Sequence, residues 1–325
     1  IQQEKLNNQV AELDVATSEN SIQESIAQIY IQILYAAESV RVNENTLQVS
    51  IAQRDRGQEL LNAGSIAKSD FAQLEAQVST ARYQLVTAQA TLQDYKLQLK
   101  QLLELDGENE MNIYLPALSD ENVLLPLPAK KDVYMSALTL RPEIEASKMN
   151  VEASELGIDI AKAGYLPTIS LSAGIGTNHT SGSDFTFGEQ VKNGWNNSIG
   201  VSVSVPIFNN RQTKSAVQKA KLQRETSLLS LLDEQKTLYK TIEGLWLDAN
   251  SAQQRYAAAN EKLKSTQISY DLISEQFDLG MKNTVELLTE KNNLLQAQQE
   301  QLQAKYMAIL NTQLLKFYQG DKLAL

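Results

Sequence analysis

Few side chains in this sequence could carry a reaction, and their placement argues against one. The single histidine, His179, stands among loop-forming residues and reads as a solvated ring. Cysteine is absent, which excludes disulfides, thiolate metal sites and a cysteine nucleophile and fits an oxidising compartment. One histidine without cysteine cannot build a histidine-rich metal site. Neighbouring acids such as Glu143 and Glu145 fall at a helix start, where a carboxylate complements the helix dipole. No glycine-rich phosphate loop, metal-ligand cluster or nucleophile–histidine pair occurs. The expectation is therefore no enzyme and no cofactor. A formal charge of −10, without clustered Lys and Arg, also argues against nucleic acid as a partner.

The polar residues that do have positional meaning sit at helix ends. Aromatic residues are only 6% of the chain, and Gln, Ala, Leu, Glu, Lys and Ser dominate, the composition of long helices. Ile22, Ile26, Ile29, Ile33, Ala36 and Val40 step by four and three. So do Leu74, Val78, Ala81, Leu85, Ala88, Leu92, Tyr95, Leu99 and Leu102. That spacing makes the apolar seam of a coiled coil, and about 60 residues of it would extend about 90 Å. Between the two runs stands Asn62-Ala63-Gly64-Ser65. The glycine suits the left-handed residue that closes a helix, and Ser69 or Asp70 can accept amide protons at the next helix start.

The same plan recurs. When Gly64 is laid on Gly280, Leu13 meets Leu229, Tyr30 meets Trp246, Leu47 meets Leu263, Ala81 meets Ala297 and Leu99 meets Leu315 without a gap. Leu238, Ile242, Leu245, Ala249, Ala252, Tyr256, Ala259 and Leu263 repeat the seam, and Asn283 and Thr284 stand at the second helix start. Each copy is an αα-hairpin with a glycine tip.

Between the copies the pattern changes. Gly107, Pro116, Pro126 and Pro128 mark an irregular connector, and Arg141-Pro142-Glu143 opens a helix. Thr168 to Gly176 and Asn197 to Phe208 then alternate strictly. Ile169, Leu171, Ala173 and Ile175, with Ile199, Val201, Val203, Val205 and Ile207, form one face; the other is serine and glycine with Pro206. About 9–11 residues is the length of a tilted strand crossing a bilayer, and apolar-out, polar-in alternation suits a barrel. Tyr165, Trp195 and Phe208 lie at the strand ends, where membrane-interface aromatics belong. A hairpin packed on a soluble core would alternate too; the uncharged polar face and the self-sufficient seams of the flanking helices favour lipid. No run of about 18 apolar residues offers a transmembrane helix. Two strands cannot close a barrel, so a lipid-facing hairpin implies an oligomer. The domains expected are 1–106, a first helical hairpin with its tip near 64; 107–140, an irregular connector; 141–165, a helix; 166–208, a transmembrane β-hairpin with external loop 177–194; and 209–325, a second helical hairpin with its tip near 280. The fold class is mainly α with a transmembrane β portion. A soluble coiled-coil scaffold without a pore is the alternative that the helices alone would support.

Five stretches in this order resemble the TolC-like outer-membrane efflux protein family: Ala63-Gly64-Ser65 through Ser69-Asp70-Phe71 to Gln77, Arg141-Pro142-Glu143-Ile144, Tyr165-Leu166-Pro167-Thr168-Ile169-Ser170-Leu171, Val205-Pro206-Ile207-Phe208, and Phe277-Asp278-Leu279-Gly280 with Glu286-Leu287-Leu288. The resemblance covers essentially the whole chain. It implies a homotrimer whose subunits each give four strands to one barrel in outer-membrane lipid, with helices forming a tunnel through the periplasm of a Gram-negative bacterium. It implies as partners a periplasmic adaptor protein and an inner-membrane pump of RND or ABC type. Because the first residues read as helix interior and only one strand pair is present, the other pair and a signal peptide are expected before residue 1.

The resemblance also implies site residues. Ser69, Asp70, Phe277, Lys282 and Glu286 fall on positions that hold the periplasmic gate, with Asp70 and Lys282 as a candidate ion pair. Phe277 stands where the family has a tyrosine and lacks its hydroxyl. Thr289 replaces a second acid beside Glu286. Ala63, Gly64, Ser65, Leu279 and Gly280 fall on the tips that meet the adaptor.

Overall fold

The computed structural model describes residues 1–105, 113–116 and 123–323. Its elements in order are helices α1 (Gln2–Asn62), α2 (Lys68–Leu102), α3 (Lys130–Leu140) and α4 (Pro142–Ala163), strand β1 (Thr168–Gly176), helix α5 (Phe187–Asn193), strand β2 (Asn196–Ser204), and helices α6 (Gln212–Asp278) and α7 (Thr284–Gln319). They form two compact units. One comprises Ile1–Glu12 and Glu145–Asp233, the other Leu13–Ile144 and Glu234–Leu325.

The larger unit holds most of both helical hairpins, α1 from Leu13 and α6 from Glu234 onward. Its core is the meeting of their seams: Ala27, Ile31 and Leu34 of α1 pack with Ala252 and Tyr256 of α6 and with Leu310 and Leu314 of α7. A second cluster joins Val133 and Ala137 of α3 to Leu238, Ile242 and Ala249 of α6 and Leu315 of α7. A third lies between the tips, where Leu74 meets Phe277 and Leu287. The α2 seam is as the spacing predicts, with Leu74, Val78, Ala81 and Leu99 buried. The α1 seam is not. Ile22 is exposed while Ala27, Ile31 and Leu34 are buried, because α1 packs against more than one helix and buries a wider arc than a single seam.

Both tips close by the same bonds. Gly64 N–H donates to Leu61 O (3.0 Å) and Ser65 N–H to Leu60 O (2.8 Å); Gly280 N–H donates to Phe277 O (2.9 Å) and Met281 N–H to Gln276 O (2.8 Å). This is the paired 5→2 and 6→1 pattern that ends a helix on a left-handed residue. Gly64 and Gly280 have φ of 72° and 74°, where a side chain would be strained.

The connector differs from expectation at its end. Pro116, Pro126 and Pro128 lie in irregular backbone, but residues 130–140 form α3. Gly107 lies outside the described residues. Helix α3 stops at Arg141, whose extended backbone (φ −78°, ψ 124°) is what a residue before proline adopts. Pro142 then opens α4 without needing a donor.

In the smaller unit the first turns of α1 meet α4 and α6. Gln3 Nε2 donates to Ala153 O (3.0 Å), Ser154 Oγ and Ser227 Oγ are 2.8 Å apart, and Arg224 Nε donates to Glu155 Oε1 (2.9 Å). Strands β1 and β2 pair antiparallel from Thr168↔Ser204 to Gly176↔Asn196. The second strand ends four residues short of Phe208. Continued pairing would need backbone donors from Pro167 and Pro206, which have none. The loop 177–194 contains α5, whose first turn is fixed by Thr186 N–H donating to Glu189 Oε2 (2.9 Å) in a capping box.

Candidate functional site

The β-hairpin presents two unlike faces. Leu171 opposes Val201 at its centre, flanked by Ile169↔Val203 and Ala173↔Ile199. On the other face Ser170 opposes Ser202, Ser172 opposes Gly200 and Gly174 opposes Ser198. Nothing among the described residues covers the apolar face: Leu171 is 75% exposed and Ile199 82%. Among the described residues the hairpin is a two-stranded sheet, and no third strand pairs with the outer edge of either strand. Tyr165 and Phe208, both exposed, lie at the end where Thr168 meets Ser204. Trp195, also exposed, adjoins the opposite end at Asn196. Nine residues per strand span about 30 Å, or about 23 Å along a membrane normal at barrel tilt, close to the height of a barrel's apolar band. His179 lies in the loop beyond, its ring edge-on to Phe187 at 5.3 Å.

The tips carry the charged positions. Ala63, Gly64, Ser65, Leu279 and Gly280 are all exposed, and so is Met281, an apolar neighbour that sequence reading missed. Ser69 is exposed beside them. Asp70 faces its own helix start, accepting from Ala67 N–H at 3.2 Å. Lys282 Nζ donates to Glu286 Oε1 at 2.5 Å, so Asp70 and Lys282 do not pair within the chain. Among the described residues a different ionic contact joins the two hairpins. Arg56 Nη2 donates to Asp278 O (3.2 Å), with Nε 3.9 Å from Asp278 Oδ1. Phe277 is 2% exposed and packs between Leu74 and Leu287; its apolar ring suits that place better than a phenol would. Thr289 donates to Val285 O within its own helix.

Glu286 also completes a capping box, accepting from Asn283 N–H (3.2 Å) while its own N–H donates to Asn283 Oδ1 (2.9 Å). Lys282 first, and the Asn283 N–H second, hold the Glu286 carboxyl below the usual carboxylate range. A carboxyl whose folded value is depressed contributes above its unfolded pKa and loses that contribution as pH falls through the folded one. Amide protection over 285–288 is therefore expected to drop roughly twofold between pH 6 and pH 3. Glu286→Gln should remove that dependence; hydrogen exchange of the two proteins would show it, and an equal drop in both would refute it.

The architecture is that of the outer-membrane channels. Solved structures of OprN and CusC match it with TM-scores of 0.80 and 0.81, each over 98% of this chain and at 19% identity, covering 69% and 73% of those chains. Residues 133–320, more than half of the chain, match the family described as "Outer membrane efflux protein", and the chain belongs to that family. Curated relatives include the outer membrane efflux protein BepC of Brucella suis biovar 1 (25% identity, 90% of this chain, 61% of the relative) and TolC of Escherichia coli K12 (24%, 93% and 62%). The alkaline protease secretion protein AprF of Pseudomonas aeruginosa is 22% identical over 90% of this chain and 61% of its own length. The chain thus spans less than two thirds of the length of these relatives.

Proposed function

We propose that this chain is the greater part of a subunit of a trimeric outer-membrane exit duct, a passive conduit that catalyses no reaction. The observation that carries the reading is the hairpin. Its apolar face is bare along its length and both outer edges are unpaired, a combination that water and lipid reject for an isolated pair of strands. Strands from elsewhere in the subunit and from two further copies would pair those edges and close a barrel around the serine and glycine face. The helical hairpins then extend the pore into the periplasm. Relatives named for efflux and for protease secretion support an exit duct that serves a periplasmic adaptor and an inner-membrane pump of RND or ABC type.

In this reading the exposed tips Ala63, Gly64, Ser65, Leu279 and Gly280 meet the adaptor. Ser69, Asp70, Lys282 and Glu286 line the periplasmic gate, and three copies of Glu286 near the axis would attract cations. Phe277 acts there through packing. The test is electron microscopy of the full-length protein extracted in detergent. A threefold tube with a micelle belt at one end is expected. Separate particles soluble without detergent would overturn the reading in favour of a scaffold.

A further inference from the structure

Lys291 of α7 is 4% exposed, yet an ammonium group belongs in water unless a counter-ion accompanies it. Its Nζ donates to Ser50 Oγ (2.5 Å) and Gln53 Oε1 (3.0 Å), both on α1. Gln53 Nε2 in turn donates to the Tyr270 hydroxyl of α6 at 2.9 Å. The three helices therefore meet around a cation held by neutral groups only. The charged residues adjoining this cluster have partners of their own. Of the two acids that act on Tyr270, Asp271 accepts from Gln267 and Asp278 lies beside Arg56. Arg54 pairs with Asp55, Glu290 accepts from Ser269, and Glu286 accepts from Lys282. Among the described residues no carboxylate lies within ion-pair distance of Lys291. Towards the middle of α1 further polar side chains are buried: Asn43, Thr46 and Ser50 donate to Ser39 O, Val42 O and Thr46 O of their own helix.

We infer that Lys291 is a built-in loosening device: while charged it biases α7 away from α1 beside the tips, and loss of its proton tightens that packing. A buried charge without a counter-ion weakens the packed arrangement relative to any opened one in which water reaches it. Burial lowers the Lys291 amine to about 8, against an ordinary value of 10.5, and the tyrosine beside it is shifted the other way, chiefly by burial. The sign follows. A folded value below the unfolded one means that the opened form binds more protons between the two, so packing strengthens as pH rises through about 8 and upward. Below that range the lysine is charged in both forms and the weakening is constant. The device concerns helix packing within one chain and stands whether or not the hairpin enters lipid.

The test is amide exchange in the full-length protein, corrected for intrinsic rates, over 286–297 at pH 6.5 and pH 9.5. Wild-type protection is expected to rise about tenfold or more. Lys291→Met and Lys291→Gln should both be flat between the two pH values and more protected than wild type at pH 6.5. The glutamine keeps a donor for Ser50 and Gln53 if methionine leaves them too poorly satisfied to fold. Flat wild-type protection would overturn the inference, as would a rise of equal size in either variant; if neither variant folds, the wild-type profile alone decides.

Discussion

Leu171→Arg is expected to abolish accumulation of the assembled protein in the outer membrane, whereas Ser172→Arg, one residue on, is expected to be tolerated. Leu171 sits midway along β1 opposite Val201, which in the proposed barrel is the height of the bilayer centre. An arginine facing lipid there costs about 2–4 kcal/mol per strand. The proposed trimer would carry the change three times and lose roughly 6–12 kcal/mol, comparable with the whole stability of a domain. Ser172 points to the other face, across from Gly200, which has no side chain to collide with a guanidinium in a water-filled lumen. The measurement is the amount of trimer that survives mild detergent extraction of outer membranes, read on a non-denaturing gel. Normal assembly of Leu171→Arg would remove that face from lipid. Equal failure of both variants would mean that the hairpin is merely intolerant of bulk.

The strands were legible because a period of two leaves one reading of the faces, and Leu171 and Val201 stand on the face it assigns. Their ends were less so: the apolar alternation runs on through Val205 and Ile207, but pairing stops at Ser204 for want of donors at the prolines. The glycine tips were legible because only a left-handed residue closes a helix that way, and both glycines have that conformation. Short helices were not. Thr186 and Glu189 spell a capping box, but the seven residues of α5 are too few to show a period. Helix α3 was hidden by the prolines just before it. At the tips, local geometry decided what resemblance could not. Lys282 has an acid four residues on, the favourable helical spacing, and within the chain pairs with it and not with Asp70. The contacts that sequence could not supply are the long-range ones, Arg56 with Asp278 and Lys291 with Ser50. No spacing rule joins residues on different hairpins, and each partner read by itself is an ordinary polar helix residue.

Arg141→Ala is expected to destabilise the larger unit by about 3–5 kcal/mol. Arg141 is buried where α3 turns into α4. Its Nε donates to Glu143 Oε1 at 2.7 Å and its Nη2 to Glu24 Oε1 at 3.2 Å, so one guanidinium ties the α3–α4 corner to α1. It also lies 4.3 Å from the ring centre of Tyr318 and 5.6 Å from that of Phe317 on α7. Burial first, and the Glu24 carboxylate second, push the Tyr318 hydroxyl up to about 12, so it stays a neutral surface for the cation. Alanine would leave two mostly buried carboxylates facing each other with no cation, and Glu143 Oε2 already has no partner. Lysine keeps the charge but cannot fork to both acids and stack at once, so Arg141→Lys should recover only part of the loss. Arg141→Met combined with Glu24→Gln and Glu143→Gln removes all three charges together and should recover more than lysine does, because the penalty is for unpaired burial and not for the missing pair. Urea unfolding of the full-length protein in detergent, followed by helical circular dichroism, orders the four proteins. A loss below about 1 kcal/mol for Arg141→Ala, the range of an exposed pair, would show that the two carboxylates reach water without moving the helices, and that Arg141 does not hold this corner.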